Sequence, residues 1–127
     1  MDIVFVIGRV IFGGYFIMSG LNHFMKADSM VGYAKFRGLP YPEVGNFLGG
    51  ALILLGGLGV LLGIYVEVSV AFLVVFLLVA SFGIHHFWTD TDQQQKMGEK
   101  VNFLKNLALI GALLMMLAIE TLWVLSL

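Results

Sequence analysis

Long apolar segments constrain this chain more than any other feature of its sequence. Segment 44–66 has 23 residues and no charged side chain, and segments 3–24, 68–88 and 102–127 are of similar length and character. A helix needs about 20 mostly apolar residues to cross a bilayer. Lipid cannot satisfy the edge of an open sheet, and these segments lack the alternation of a membrane barrel. The sequence therefore predicts an all-α fold, a bundle of four transmembrane helices in one domain, 1–127.

Composition supports a membrane protein. Hydrophobic residues make up 60% of the 127 residues and charged residues only 12%, whereas a soluble domain is about half apolar and a quarter charged. A chain this short cannot bury so much apolar surface in a core of its own. The net charge of −1 gives no basic excess for binding nucleic acid. The absence of cysteine excludes disulfides and cysteine-ligated metals. The expected partner is the lipid bilayer.

The basic residues predict the orientation of the four helices. They concentrate in loop one, 25–43, and loop three, 89–101, where five of the seven lie, and Lys105 follows just inside the next helix. The opposite side has only Arg9. Basic residues concentrate in cytoplasmic loops. We therefore expect loops one and three in the cytoplasm and both termini outside.

Loop one has the pattern of a short helix of its own. Asp28 and Ser29 can cap a helix, and Pro40 and Pro42 would stop it. The apolar residues between them favour a helix that lies along the lipid headgroups. The prediction is a short interfacial helix between helices 1 and 2, with an ordinary surface loop as the alternative.

Glycines mark faces where helices are expected to pack closely. Gly49, Gly56 and Gly63 recur every seven residues and so share one face of the second segment. Gly13 and Gly20 have the same spacing in the first. Small residues let backbones approach each other in lipid and gain van der Waals contact. We expect these five glycines to pack helices together; a substrate path along them is the alternative.

Three charged residues form a polar layer near the outer side. At 100° per residue, Arg9, Glu67 and Glu120 each end a stripe that turns toward the bundle interior. Arginine pairs best with a carboxylate that it can contact through two nitrogens. Glu120 is the expected partner, in an ion pair that fixes helix register. A site for an anionic ligand and a proton relay are the functional alternatives.

A second polar layer lies near the cytoplasmic side, roughly 20–27 Å from the first at 1.5 Å per residue. His23, His85 and Asn106 are expected to line a polar cavity there. Beside aromatic residues, such a cavity could hold a quinone. A haem between His23 and His85 is the less favoured alternative, and no metal site is expected. The leading alternative to a ligand site is that the histidines lie at the headgroup boundary and bond helix ends or lipid phosphate.

Several motifs occur together in an order typical of one family. They are GRVIFG at 8–13, SGLNHF at 19–24, GLPYP at 38–42, the glycine-rich second segment, and FLKNLALIG at 103–111. Over nearly all of its length the chain resembles the DoxX family of small bacterial four-helix membrane proteins. The resemblance gives weight to Arg9, Gly20, His23 and Asn106. Many family members have Lys where this chain has His23.

The resemblance implies redox work at a bacterial inner membrane. Founding members of the family are described as the small subunit of a thiosulfate:quinone oxidoreductase, and other relatives are linked to redox complexes or to membrane-protein assembly. We therefore expect a membrane subunit or quinone-facing component of an oxidoreductase system. A redox partner protein and assembly into homo-oligomers are further expectations. The alternative is a non-enzymatic scaffold or assembly factor. A small-solute transporter is least favoured, because the sequence has no internal repeat.

Overall fold

The regular structure of the chain is helical. A computed structural model describes residues 1–120 and 122–126. In this part of the chain the α-helices are α1 (Asp2–Met25), α2 (Ala27–Phe36), α3 (Pro42–Leu62), α4 (Val66–Gly83) and α5 (Gln93–Met116). A 3-10 turn, Phe87–Thr89, lies between α4 and α5. The all-α prediction is confirmed for the described residues.

Three stretches within the described residues are long and apolar enough to cross a membrane. They are Asp2–Met25, Pro42–Leu62 and Val66–Thr89, the last of which includes α4 and the turn after it. Helix α5 is not among them, because Lys96, Glu99, Lys100 and Lys105 all lie in its first thirteen residues. The chain is thus a multi-pass membrane protein with three candidate spans.

The fourth helix differs from the predicted segment 102–127. It begins earlier, at Gln93, where the Asp92 side chain accepts a hydrogen bond of 2.9 Å from the Gln95 backbone N–H. It ends earlier as well, at Met116. Beyond it, Leu122 and Leu125 have φ angles of 65° and 53°, which no α-helix contains. The prediction of a helix to residue 127 is therefore corrected.

The residues after α5 fold back onto the start of α1. Trp123 is 4% exposed, and its ring meets the Phe5 ring edge-on with 4.9 Å between centroids. This contact adds an aromatic side chain to the core, whose other buried residues are Phe16, Ile53, Val60, Val70, Leu73, Leu77 and Leu113. The C-terminal segment thus packs into the molecule where the sequence predicted a continued helix.

Glycines bring α1 and α3 into backbone contact. A Cβ atom on Gly13 would lie 2.8 Å from the Gly57 carbonyl oxygen, and one on Gly57 would lie 2.9 Å from the Gly13 carbonyl oxygen. Near the other end of α1, a Cβ on Gly20 would lie 2.9 Å from the Leu54 Cβ. Because no side chain separates the two helices at these points, their backbones gain direct van der Waals contact.

The glycines spaced seven residues apart in the second segment, Gly49, Gly56 and Gly63, have two different roles. A Cβ on Gly56 would lie 2.7 Å from Leu73 Cγ, and one on Gly49 would lie 3.1 Å from Phe76 Cε1, so both lie where α3 meets α4. Gly63 instead follows the last residue of α3 and has a φ of 71°. This is the left-handed position at which glycine ends a helix. Gly63 therefore ends α3, and a Cβ on it would lie 2.9 Å from Arg9 Nη2 of α1.

Many apolar side chains on the outer faces of the helices remain exposed. Ile3, Ile7, Ile11 and Met18 on α1 are each more than half exposed. A soluble monomer rarely exposes such a continuous apolar surface. The apolar helices therefore indicate contact with lipid.

Candidate functional site

The end of the bundle that carries loops one and three contains a cavity of about 610 Å³. All five helices and the turn before α3 contribute to its wall. Most of the wall is apolar and includes Phe16, Leu52, Phe76 and Leu77. Its polar side chains are Tyr15, Ser19, His23, Ser29, Tyr33, Tyr41, Asn46, His85, Lys105 and Asn106. Small-molecule sites have volumes of roughly 300–1,000 Å³ and the same mixture of apolar wall and few polar groups.

His23 is held in place from both sides of its ring. Its Nδ1 lies 2.8 Å from the carbonyl oxygen of Ser19, one turn earlier in α1. The ring meets Phe76 of α4 edge-on, with 5.5 Å between centroids. The Asn46 side chain of α3 donates a hydrogen bond of 2.8 Å to the His23 carbonyl oxygen. The side chain is 6% exposed and lines the cavity. Contacts from three helices thus fix its orientation.

A buried carboxylate joins His85 to Tyr33 at the cavity wall. His85 Nδ1 lies 2.5 Å from Glu99 Oε2, and the Tyr33 hydroxyl donates a hydrogen bond to Glu99 Oε1. Glu99 is 4% exposed, and this burial raises the pKa of its carboxyl group. The cluster joins α2, α5 and the residues that follow α4. Glu99 thereby orients the two side chains that line the cavity in front of it.

Arg37 and Asp90 close this end of the bundle. Arg37 Nη1 lies 2.7 Å from Asp90 Oδ1, and Nη2 lies 3.1 Å from Oδ2, so the pair is bidentate. Arg37 also donates from Nε to the Ile84 carbonyl oxygen at 2.7 Å. The hydrogen bonds from Arg37 lower the pKa of the Asp90 carboxyl group. Loops one and three are therefore joined directly by a buried arginine.

Arg9 at the opposite end is surrounded by backbone carbonyl groups. Its guanidinium donates to Leu61 at 2.9 Å, to Val60 and Leu125 at 3.4 Å, and also to Val124. Val60 and Leu61 belong to the last turn of α3, whose carbonyl groups have no partner within the helix. A cation is favoured at this end of a helix dipole. Arg9 therefore caps α3 and fastens the C-terminal segment to it.

Two aromatic rings complete the surroundings of Arg9. The guanidinium carbon lies 5.6 Å from the Phe5 ring centroid and 5.5 Å from the Trp123 ring centroid. A cation over an aromatic face is attracted by the negative charge of that face. Because rings and carbonyl groups fill the space around it, the 4%-exposed arginine sits in a packed environment.

The family model for DoxX matches residues 4–86, more than half of the chain. The chain belongs to the DoxX family. The matched region includes Arg9, His23 and His85, whereas Glu99 and Asn106 lie beyond it. No curated protein and no solved structure matched the DoxX chain.

The expected ion pair between Arg9 and Glu120 is not formed in the described part of the DoxX chain, where the ion pairs are Arg37–Asp90 and His85–Glu99. Glu67 and Glu120 are both exposed. Carbonyl groups already bind the guanidinium of Arg9, and Glu120 lies beyond the end of α5. The structure therefore gives Arg9 a carbonyl environment and leaves both glutamates at the surface.

The structure brings His23, His85 and Asn106 together on the wall of the cavity. Asn106 lies on α5 and is 4% exposed. In residues 1–120 and 122–126, no group of three or more His, Asp or Glu side chains could hold a metal ion.

The roles of Glu99 and Arg37 were not predicted. Glu99 lies in loop three and Arg37 in loop one, where it was counted only for orientation, although each is more than nine-tenths buried. A signal for Glu99 was present, because residues 99, 102 and 106 share one helix face and so extend the polar stripe that ends at Asn106. Arg37 had no such signal, because its partner lies 53 residues away in loop three.

Proposed function

We propose that this DoxX protein binds a lipid-soluble quinone-type ring in the cavity and serves as a membrane component of an oxidoreductase system. The observation that carries the proposal is the cavity of about 610 Å³, whose apolar wall includes the buried polar side chains His23 and Asn106. A quinone has an apolar ring with polar oxygens at two positions. Such a wall offers contact area to the ring and a few hydrogen-bonding groups to its oxygens.

The route into the cavity fits a ligand that is dissolved in lipid. Leu48 of α3 and Val79 of α4 both line the cavity, and they are 55% and 57% exposed on the apolar side of their helices. The cavity therefore reaches the surface between these two helices. A molecule with an apolar tail can approach from the bilayer and leave its tail there.

The same proposal includes a topology in a bacterial inner membrane. We propose that the chain crosses the membrane a fourth time through α5 and the residues after it, and that α2 lies along the headgroups. The Arg37–Asp90 pair supports a common side for loops one and three, and their basic residues favour the cytoplasm. Both termini would then lie outside. A reporter fused to the C-terminus should read as periplasmic, and a cytoplasmic reading would contradict this orientation.

Sulfur chemistry in such a system would need a partner protein or a bound cofactor. The chain has no cysteine and so has no thiol chemistry of its own. We propose that the bound ring exchanges electrons with a redox partner protein, while this chain supplies the pocket in the membrane.

The test is direct binding to the purified protein in lipid nanodiscs. Decylubiquinone and its reduced form, decylubiquinol, are titrated separately by calorimetry. Ser19→Leu places a larger side chain on the cavity wall and should weaken binding of both forms about tenfold, because the ring and the leucine compete for space. Met18→Leu, on the 65%-exposed outer face of α1, is the matched control and should bind like wild type.

Two results would contradict the proposal. One is that neither form binds to the wild-type protein. The other is that Ser19→Leu and Met18→Leu weaken binding equally, because binding would then occur outside the cavity.

A further inference from the structure

The two histidine rings on the cavity wall share one property. In each ring Nδ1 already has an acceptor, the Ser19 carbonyl oxygen for His23 and the Glu99 carboxylate for His85, at 2.8 and 2.5 Å. The Ser19 carbonyl oxygen can only accept, so Nδ1 carries the hydrogen in His23, and the same holds for His85 when its partner is the ionised carboxylate of Glu99. In a neutral imidazole the other nitrogen then has a lone pair and no hydrogen. Both Nε2 atoms are therefore acceptors.

Both Nε2 atoms lack a hydrogen-bond partner among the described residues. For His23, the space beside this nitrogen belongs to the cavity wall. A Cβ on Gly49 would lie 3.8 Å from His23 Nε2, and Gly49 itself lines the cavity. His23 and Gly49 thus lie side by side on the cavity wall.

The hydrogen-bond donors of the wall lie elsewhere. Lys105 Nζ lies 3.3 Å from the Tyr15 hydroxyl, and both side chains are exposed, so they form the rim of the cavity. Tyr33 already donates its hydrogen to Glu99. Deeper in the wall, the buried Asn106 amide and the half-buried Ser19 hydroxyl can donate. Among the described residues, neither imidazole Nε2 receives a hydrogen from a protein donor.

This arrangement distinguishes the two redox forms of a quinone-type ring. The carbonyl oxygens of the oxidised form can only accept hydrogen bonds. A carbonyl oxygen placed next to Nε2 would therefore face another acceptor, with no hydrogen between the two atoms. The hydroxyl groups of the reduced form donate, and each can form a hydrogen bond to Nε2. Leaving a buried polar atom unpaired costs more than a formed hydrogen bond gains. We propose that the cavity selects the reduced, hydroxyl-bearing ring, a quinol, over the quinone; this inference rests on the function proposed above.

The test compares three probes of nearly the same shape on the wild-type protein in nanodiscs. They are decylubiquinol under anaerobic conditions, decylubiquinone, and the dimethyl ether of the quinol, which has no hydroxyl hydrogen. We expect the quinol to bind at least about fivefold more tightly than the quinone or the ether, as one hydrogen bond would give. Equal affinities, or tighter binding of the quinone, would overturn the inference and leave the proposed function standing. If no probe binds, both fall.

A variant tests whether His23 Nε2 is the acceptor. His23→Phe keeps an aromatic ring against Phe76 but removes both nitrogens. It should reduce the preference for the quinol severalfold and change the affinity for the quinone by less than about twofold. Phe24→Leu, next to it on a partly exposed face of α1, is the control and should keep the wild-type preference. A preference that survives His23→Phe unchanged would contradict the role of His23.

A second measurement does not depend on ligand binding or on the stability of a variant. Nitrogen-15 NMR of histidine-labelled protein in nanodiscs distinguishes a nitrogen that carries hydrogen from one that does not. His23 and His85 should both carry it on Nδ1 at neutral pH. A hydrogen on Nε2 of the resting protein would remove the acceptor and overturn the inference.

Discussion

The two ends of the bundle both bury a polar side chain from α1, and they use it differently. At one end Arg9 has carbonyl partners and aromatic rings around it, and the space is filled. At the other end His23 has one nitrogen bonded and one unpaired beside a cavity of about 610 Å³. A polar group whose hydrogen bonds are complete stabilises the fold. A polar group with unused hydrogen-bonding capacity and space in front of it can bind a ligand.

The largest effect is expected at the arginine end. Arg9→Met removes the partner of several buried carbonyl groups and should lower the free energy of unfolding by about 3 kcal/mol. The affinity for a ligand in the cavity at the opposite end should change less than the free energy of unfolding does. Unfolding in detergent, followed by circular dichroism, measures the loss.

The substitution Glu120→Gln is the control for Arg9→Met. Because Glu120 is exposed and is not bonded to Arg9 in the described structure, its substitution should change stability by less than about 0.5 kcal/mol. The double variant with Arg9→Met should be no more stable than Arg9→Met alone. If the double variant recovered stability relative to Arg9→Met, the result would support the Arg9–Glu120 ion pair that the sequence predicted.

The contact between α1 and α3, which connects the two ends, should respond next. Gly13→Ala places a Cβ 2.8 Å from the Gly57 carbonyl oxygen, so the helices must separate, at a cost of about 1–3 kcal/mol. Gly14→Ala, at the adjacent residue with nothing within 4 Å, is the matched control and should be neutral or slightly stabilising. If both variants melt at the same temperature, the close helix contact is disproved.

The Arg37–Asp90 pair should make the cavity end sensitive to acid. Arg37 lowers the pKa of Asp90, so the pair stabilises the folded state fully above the carboxyl's ordinary pKa of 3.8 and loses this effect as the pH falls through the lowered value. Melting temperatures measured from pH 6 down to pH 3 should show the loss. Asp90→Asn should melt lower at pH 6 and lose part of the acid dependence. An unchanged acid dependence would show that other carboxyl groups cause it.

A ligand site requires a polar group with unused hydrogen-bonding capacity and open space in front of it. Ser81 meets only the first requirement, and the smallest effect is expected there. Its hydroxyl is fully buried and has no hydrogen-bond partner, yet it does not line the cavity. Ser81→Ala removes the unpaired group and should leave stability unchanged or raise it by up to about 1 kcal/mol. Ligand affinity should not change. A clear loss of stability would show that the hydroxyl has a partner.

Helix periodicity indicated three polar side chains at a common depth. His23, His85 and Asn106 were selected by helix periodicity and depth, and all three line its wall. This worked because a helix places residues at a known angle and rise, so the face and depth of a side chain follow from its number. Glu99 was not selected although it has the same spacing, because it lies within the charged loop three, 89–101, which suggested a solvated residue.

The sequence by itself determined that the chain is helical, that it enters a membrane and which faces of its helices are polar. Apolar length and periodicity are local properties, and they decide these questions before any helices meet. Only the tertiary structure decided the partners of Arg9 and the fold of the residues after Met116. The reason is that Arg9 binds backbone carbonyl groups, which every residue has. A side-chain pattern therefore cannot indicate which carbonyl groups will lie close to it.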